Sequence, residues 1–232
     1  EDAYSPKLTD FLDPREQQIV KMIIGESSDI SCHFFGGAEN SERQRALIIP
    51  EYYRVEHEDY QLSLFDIEYP KKFVTIEHPQ VLGSLMSLGI KREKFGDILI
   101  EGDRVQVVVA KEIDSYIQMQ LSSIGRAKIS LKEIPLSEAI MIRNIWVEEA
   151  VTVSSLRLDT VVSALYHISR QKSQLLIEHG QIKVNFGTIE KPSFECGEFD
   201  MISVRGYGRS KIISIEGKTK KDKWRITAGK QK

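Results

Sequence analysis

Residues 156–185, LRLDTVVSALYHISRQKSQLLIEHGQIKVN, decide the fold of the C-terminal third of this 232-residue chain. Leu158, Val161, Val162 and Leu165 recur at i, i+3, i+4 and i+7, the spacing of one helical stripe, and Ser154 or Ser155 is placed to cap it. Ser169 caps a second helix, which carries Leu175, Leu176 and His179 and is closed by Gly180. Strand pieces are expected at 181–185, 201–205, 211–216 and 223–228. Two short helices joined by a brief loop and followed by a small twisted sheet can bring side chains from several elements onto one convex face.

The chemistry expected of that face is cationic. Arg170 and Lys172 fall in the first turn of the second helix, where free backbone N–H groups and the helix dipole favour a phosphate. Arg157 lies near the start of the neighbouring helix and extends the anion track. Ser169, Gln171, Lys183, Asn185, Arg205, Arg209 and Lys211 complete the predicted RNA-binding set. Gly206 suits a tight turn from which Arg205 and Arg209 can reach an RNA backbone. Asp159 is assigned to organising the face, because a carboxylate facing RNA would repel it but can accept hydrogen bonds from neighbouring arginines. The run Lys218, Lys220, Lys221, Lys223, Arg225 and Lys230 reads equally as a phosphate contact and as a mobile basic tail.

Whole-chain charge hides this. A net charge of −2 and a pI near 6.3 argue against a nucleic-acid partner. Yet residues 152–232 hold 15 Lys and Arg against 8 Asp and Glu, while residues 1–151 hold 17 against 26. Such asymmetry points to nucleic acid or membrane at the basic end, and leaves the acidic end for protein partners.

Working outward, Asp13-Pro14-Arg15-Glu16 opens a helix running to about Ile24, with a capping box and proline at the first position. Strands are expected near 31–35, 46–49 and 61–69, making residues 1–70 a small α+β domain. Residues 71–151 follow the order β-α-β-β-α-β of a ferredoxin-like, RRM-like plait: strand 73–77, helix from Pro79 to Gly89, strands either side of Glu101-Gly102, helix 112–124 and strand 126–131. Strand-like residues 142–153 lead into a third domain, 152–232. Arg104-Val105-Gln106-Val107-Val108-Val109 lacks the aromatics of an RNA-stacking plait. Lys91, Arg92 and Lys94 read equally as a second RNA surface and as a polar helix face, and Gly36-Gly37 reads as a turn.

Residues 156–213, with Arg157-Leu158-Asp159, Ser169-Arg170, Leu176-Ile177 before Gly180, Val184-Asn185 and Val204-Arg205-Gly206, resemble the S4 RNA-binding domain. Phe186 and the loop Gly197-Glu198-Phe199-Asp200 depart from the usual Val-Asn-Gly and Gly-Asp patterns. Residues 83–98 and the segment from Gly36-Gly37 to Arg45 look like the YlmH family of bacterial S4 proteins. This resemblance spans essentially the whole chain. It implies an α+β domain, an RRM-like domain and a C-terminal S4 domain. It also implies binding to rRNA of the large ribosomal subunit with peptidyl-tRNA in reach, in ribosome-associated quality control of stalled peptides. The family also carries a cell-division association from gene context.

Catalytic alternatives lack their motifs. Arg157-Leu158-Asp159 is followed by Thr160-Val161-Val162-Ser163, which breaks the pseudouridine synthase pattern. HIGH and KMSKS motifs are absent, and no glycine-rich loop suits a methyltransferase. His33, His57, His78, His167 and His179 form no metal or triad spacing. Cys32 and Cys196 read as reduced structural thiols. No apolar run reaches the ~18 residues of a membrane span. The expectation is a cytoplasmic, monomeric, non-enzymatic RNA-binding protein without cofactor or metal, with an RNA-modifying enzyme or a cell-division adaptor as alternatives.

Overall fold

In the computed structural model, which describes residues 5–25, 30–141 and 146–231, the chain divides into two units, residues 1–142 and 143–232. The first unit begins with strand β1 (Lys7–Leu12), a strand absent from the sequence reading. Helix α1 (Pro14–Ile24) follows, and its start is chemical: Asp13 accepts from Glu16 N (2.9 Å) while Glu16 returns a carboxylate to Asp13 N (2.7 Å). Strands β2 (Ile30–Phe35) and β3 (Gln44–Pro50) complete an antiparallel sheet ordered β1-β3-β2.

Strand β4 (Leu62–Glu68) belongs to a different sheet from its chain predecessors. After helix α2 (His78–Ser87) come β5 (Phe95–Glu101) and β6 (Arg104–Ala110), joined across Gly102-Asp103. Helix α3 (Asp114–Gln120), the short hairpin β7 (Ser123–Ile124) and β8 (Ala127–Lys128), and β9 (Ser130–Ile134) end the unit. The sheet is ordered β5-β6-β4-β9, antiparallel throughout. A β-α-β-β-α-β order is thus carried by β4, α2, β5, β6, α3 and β9. The strand expected at 73–77 is not one: residues 71–73 turn back on Tyr69 and Pro70, and β4 occupies the first position instead. The second helix is also shorter than the expected 112–124.

Burial explains why β6 is apolar almost without alternation. Val105, Val107 and Val109 pack with Phe65, Val81, Leu85 and Ile117, on the side covered by α2 and α3. Val108 and Ala110 pack with Leu64, Leu99, Phe11 and Ala38 on the other side. A central strand covered on both faces is a continuous hydrophobic run.

In the second unit, β10 (Trp146–Val153) precedes helices α4 (Leu158–Leu165) and α5 (Arg170–Glu178). The expected strand start at 142–145 lies outside the described residues. Strands β11 (Ile182–Val184), β12 (Gly187–Thr188), β13 (Met201–Val204), β14 (Gly208–Lys218) and β15 (Trp224–Gln231) form, with β10, an antiparallel sheet ordered β10-β15-β14-β13-β11-β12. Leu158, Val161, Val162, Leu165 and Ile177 from the helices pack on Ile202, Val204, Ile212, Ile226 and Ala228 from one sheet face. Each of the Leu, Ile and Val side chains contributes about 1.5–3 kcal/mol relative to exposure. The N-cap of α4 is Arg157, not Ser154 or Ser155. Backbone bonds from the 192–196 loop fix this start: Leu158 N donates to Phe194 O, and Cys196 N to Leu156 O.

Candidate nucleic-acid interface

Asp159 lies in the first turn of α4 with its side chain fully buried. Arg157 presents the Nε–Nη2 edge of its guanidinium to both carboxylate oxygens at 3.1 Å. Arg170, from α5, brings Nε to 3.1 Å and Nη2 to 3.0 Å of Oδ2. Gln174 Nε2 donates to Oδ2 at 2.8 Å and Thr160 Oγ1 to Oδ1 at 3.2 Å. Burial pushes the Asp159 carboxyl up, but the hydrogen bonds from Arg157, Gln174 and Arg170 outweigh it and hold the group well below the usual carboxylate range. Asp159 therefore stays ionised and fixes two planar cations from two helices. Two guanidinium charges against one carboxylate leave a net positive site, and each fork keeps its Nη1 edge on the side away from Asp159.

α5 supplies the neighbouring positions. The Ser169 hydroxyl accepts from Lys172 N at 3.2 Å, so its structural position is that of a cap. Arg170, Gln171 and Lys172 are exposed at the helix start. The Lys172 amine lies 5.3 Å from the Tyr207 ring centroid, Tyr207 meets Tyr166 edge-on at 6.1 Å, and Lys230 lies 5.8 Å from Tyr166. Tyr166 is an anchor: its hydroxyl lies 3.0 Å from Ile202 O, and burial pushes its pKa up to about 12.

The remaining predicted contacts divide by face. Arg209 and Lys211 alternate with buried Ser210 and Ile212, so they point away from the helices, and Lys183 shares that side through its register with Ser203 and Arg209. Arg205 is exposed in the β13–β14 turn. Asn185 spends its amide on structure, donating to Asp200 Oδ1 at 2.7 Å and accepting from Met201 N at 2.9 Å. The structure thus gathers Arg157, Arg170 and Lys172 on the helix side and Lys183, Arg209 and Lys211 on the opposite sheet face.

In the first unit, Arg92 Nη1 donates to Phe95 O (2.6 Å) and Gly96 O (3.3 Å), and Lys94 is held by Asp10 (2.6 Å) and Glu112. Lys91 is exposed beside Glu93 at 3.5 Å. Two of these three cations are therefore engaged in holding their own fold. The segment from Gly36-Gly37 to Arg45 is likewise structural. Asp97 accepts from Glu42 N (2.6 Å) and Arg43 N (3.2 Å), and buried Arg45 ties Thr9 O (2.7 Å), Tyr60 O (3.2 Å) and Gln61 O (3.1 Å). A Cβ on Gly37, at φ +89°, would sit 2.9 Å from Val108 Cγ1, and one on Gly36 would sit 2.3 Å from Arg43 O.

Gln174 and Tyr207 lie outside the residues predicted from sequence, whereas the basic run of the β14–β15 hairpin was read there as either a phosphate contact or a mobile tail. Gln174 completes the Asp159 cage; its i+4 spacing from Arg170 is a signal that could have found it. Tyr207, between two glycines, carries Lys172. The β14–β15 hairpin bounds a concavity of about 710 Å³ lined by Thr152, Lys218, Lys220, Lys221, Lys223 and Arg225, among others. Lys218 pairs with Asp222 at 2.8 Å, and Arg225 lies 4.0 Å from Glu216. Lys220, Lys221 and Lys223 have no ion-pair partner among the described residues. No group of three metal-ligating side chains occurs among the described residues, and no helix is long and apolar enough to cross a membrane.

Residues 55–138 match the family model described as "Putative RNA-binding domain in YlmH", and residues 156–202 match the S4 domain. The chain is 46% identical over 233 aligned positions to the ribosome-associated protein quality control protein P2 of Bacillus subtilis (strain 168), covering 100% of this chain and 90% of that one. Among solved structures it is similar to the cell division protein ylmH from Streptococcus pneumoniae, with a TM-score of 0.52 and 35% identity over 60% of this chain and 84% of the other.

Proposed function

The chain belongs to the YlmH family of S4-domain RNA-binding proteins, and from that premise we propose that it binds rRNA of the large ribosomal subunit, with peptidyl-tRNA in reach, as a non-catalytic factor in ribosome-associated quality control. The observation that carries this reading is the Asp159 cage. A buried carboxylate holds two arginine forks from adjacent helices in fixed orientation beside the capped start of α5. Guanidiniums immobilised before RNA arrives lose little side-chain entropy when they meet phosphates. The β14–β15 hairpin supplies a second cationic element of the same unit, with Lys220, Lys221 and Lys223 lining a concavity that Thr152 of β10 also lines.

Binding by such a site is electrostatic and releases counterions. Replacing Arg157 and Arg170 by alanine is expected to lower affinity for 50S subunits about tenfold or more, while wild-type affinity falls steeply with salt. Co-sedimentation with purified 50S subunits at two salt concentrations measures both. Undiminished co-sedimentation of the double variant would sink the reading.

A further inference from the structure

Two phenylalanines in the second unit occupy backbone conformations that large side chains rarely adopt. Phe186 has φ +66° and Phe199 φ +68°. Neither packs with the core formed by α4, α5 and the sheet, and Phe199 is 66% exposed. Their loops are locked together. Asn185 donates to Asp200 Oδ1 at 2.7 Å, Gly197 N donates to Asp200 Oδ2 at 2.7 Å, and Phe199 N donates to Ile212 O at 2.8 Å. The lock holds Phe199 in solvent, where burial gives no return for the unfavourable backbone. Such retained strain is found where surrounding structure fixes a residue for use.

Each ring has a cation from β14. Arg209 Cζ lies 5.7 Å from the Phe186 centroid, and Lys211 Nζ lies 5.7 Å from that of Phe199. Arg209 and Lys211 are two residues apart on the outward face, roughly 7 Å along the strand, with Lys183 on the same side. An exposed ring with a cation on one face presents its other face for stacking, while the neighbouring ammonium and guanidinium groups reach flanking phosphates. Paired bases in a duplex have no free face to offer; an unpaired base does.

We propose that this outer face, with Phe199 and Lys211 beside Phe186 and Arg209, is a stacking site for an unpaired base of the bound RNA. It lies on the side of the sheet opposite the Asp159 cage, and it rests on the reading of the second unit as an RNA binder. Duplex segments engage the helix side by shape and charge, and a looped-out or single-stranded nucleotide engages the sheet side.

The test uses the full chain and two probes: an RNA stem-loop with 2-aminopurine in its loop, and the same stem as a blunt duplex. The wild type is expected to quench the 2-aminopurine and to prefer the stem-loop about tenfold. F199A and F199G should keep duplex affinity but lose both the preference and the quenching, and F199W should retain them. F199G should melt no lower than wild type, because glycine accepts the positive φ, which separates loss of stacking from loss of fold. Unchanged loop preference and quenching in F199A and F199G would overturn the proposal while leaving the RNA reading intact. Wild-type protein that bound neither probe would overturn both.

Discussion

Asp159 works in two ways. Buried without partners, an aspartate would be strongly destabilising; with Arg157, Arg170, Gln174 and Thr160 around it, it becomes the group that sets their geometry. Asp159→Asn removes the charge and turns one acceptor into a donor, leaving two guanidiniums facing each other. The expected cost is about 3 kcal/mol in urea unfolding, together with weaker RNA binding. The pH dependence follows from the depressed carboxyl. Its folded pKa lies below the unfolded value of about 3.9. Its stabilisation is therefore full above roughly pH 5 and drains as pH falls below about 4. Acid titration of the wild type should show this limb, and the asparagine variant should show less of it. The charge of Asp159 already pointed to an organising role, because a carboxylate facing RNA would repel it. Gln174 was not marked, because its contribution depends on which side of α5 meets α4.

At the scale of elements, local signals carried well where a cap or turn residue controlled the outcome. The Asp13–Glu16 box and the Ser169 cap lie where the chain pattern places them, and the β5–β6 turn falls at Gly102-Asp103, one residue on from the expected Glu101-Gly102. Strand membership did not carry in this way. β1 shows little alternation and is held by pairing with β3, while β4 joins β6 and β9, some 40 and 65 residues further on. Lys94 read equally as part of a second RNA surface and as part of a polar helix face, and only the pairing of distant segments brings Asp10 beside it. The β14–β15 hairpin offers a direct test of element-level charge. Replacing Lys220, Lys221 and Lys223 with glutamine should leave the melting temperature unchanged and reduce the salt slope of RNA binding by about one per lost phosphate contact. Filter binding across a salt series measures it, and an unaltered slope would remove the hairpin from the RNA footprint.

The whole molecule separates its charge. The cationic surplus lies in the second unit, and the first is acidic; the exposed apolar side chains of α1, Met22 and Ile23, also belong to the first unit. A negatively charged unit joined to an RNA-binding unit opposes promiscuous attachment to polyanions. Residues 143–232 alone are therefore expected to bind unrelated RNA several-fold more tightly than the full chain at low salt, and the difference should shrink at high salt as screening sets in. Equal affinities at low salt would count against that role.

By itself the sequence determined the helix pair of the second unit, the Ser169 cap of α5, the cationic surplus and the family, because these rest on residue type at short spacing. Only the tertiary structure decided which cations act together. It placed Arg157 and Arg170 on one buried carboxylate, committed Arg92 and Lys94 to their own fold, and turned Arg209 and Lys211 onto a separate face beside two strained phenylalanines. The physical reason is that charge is a property of the residue, whereas its partner and its direction are set by strand register and helix packing between segments distant in the chain.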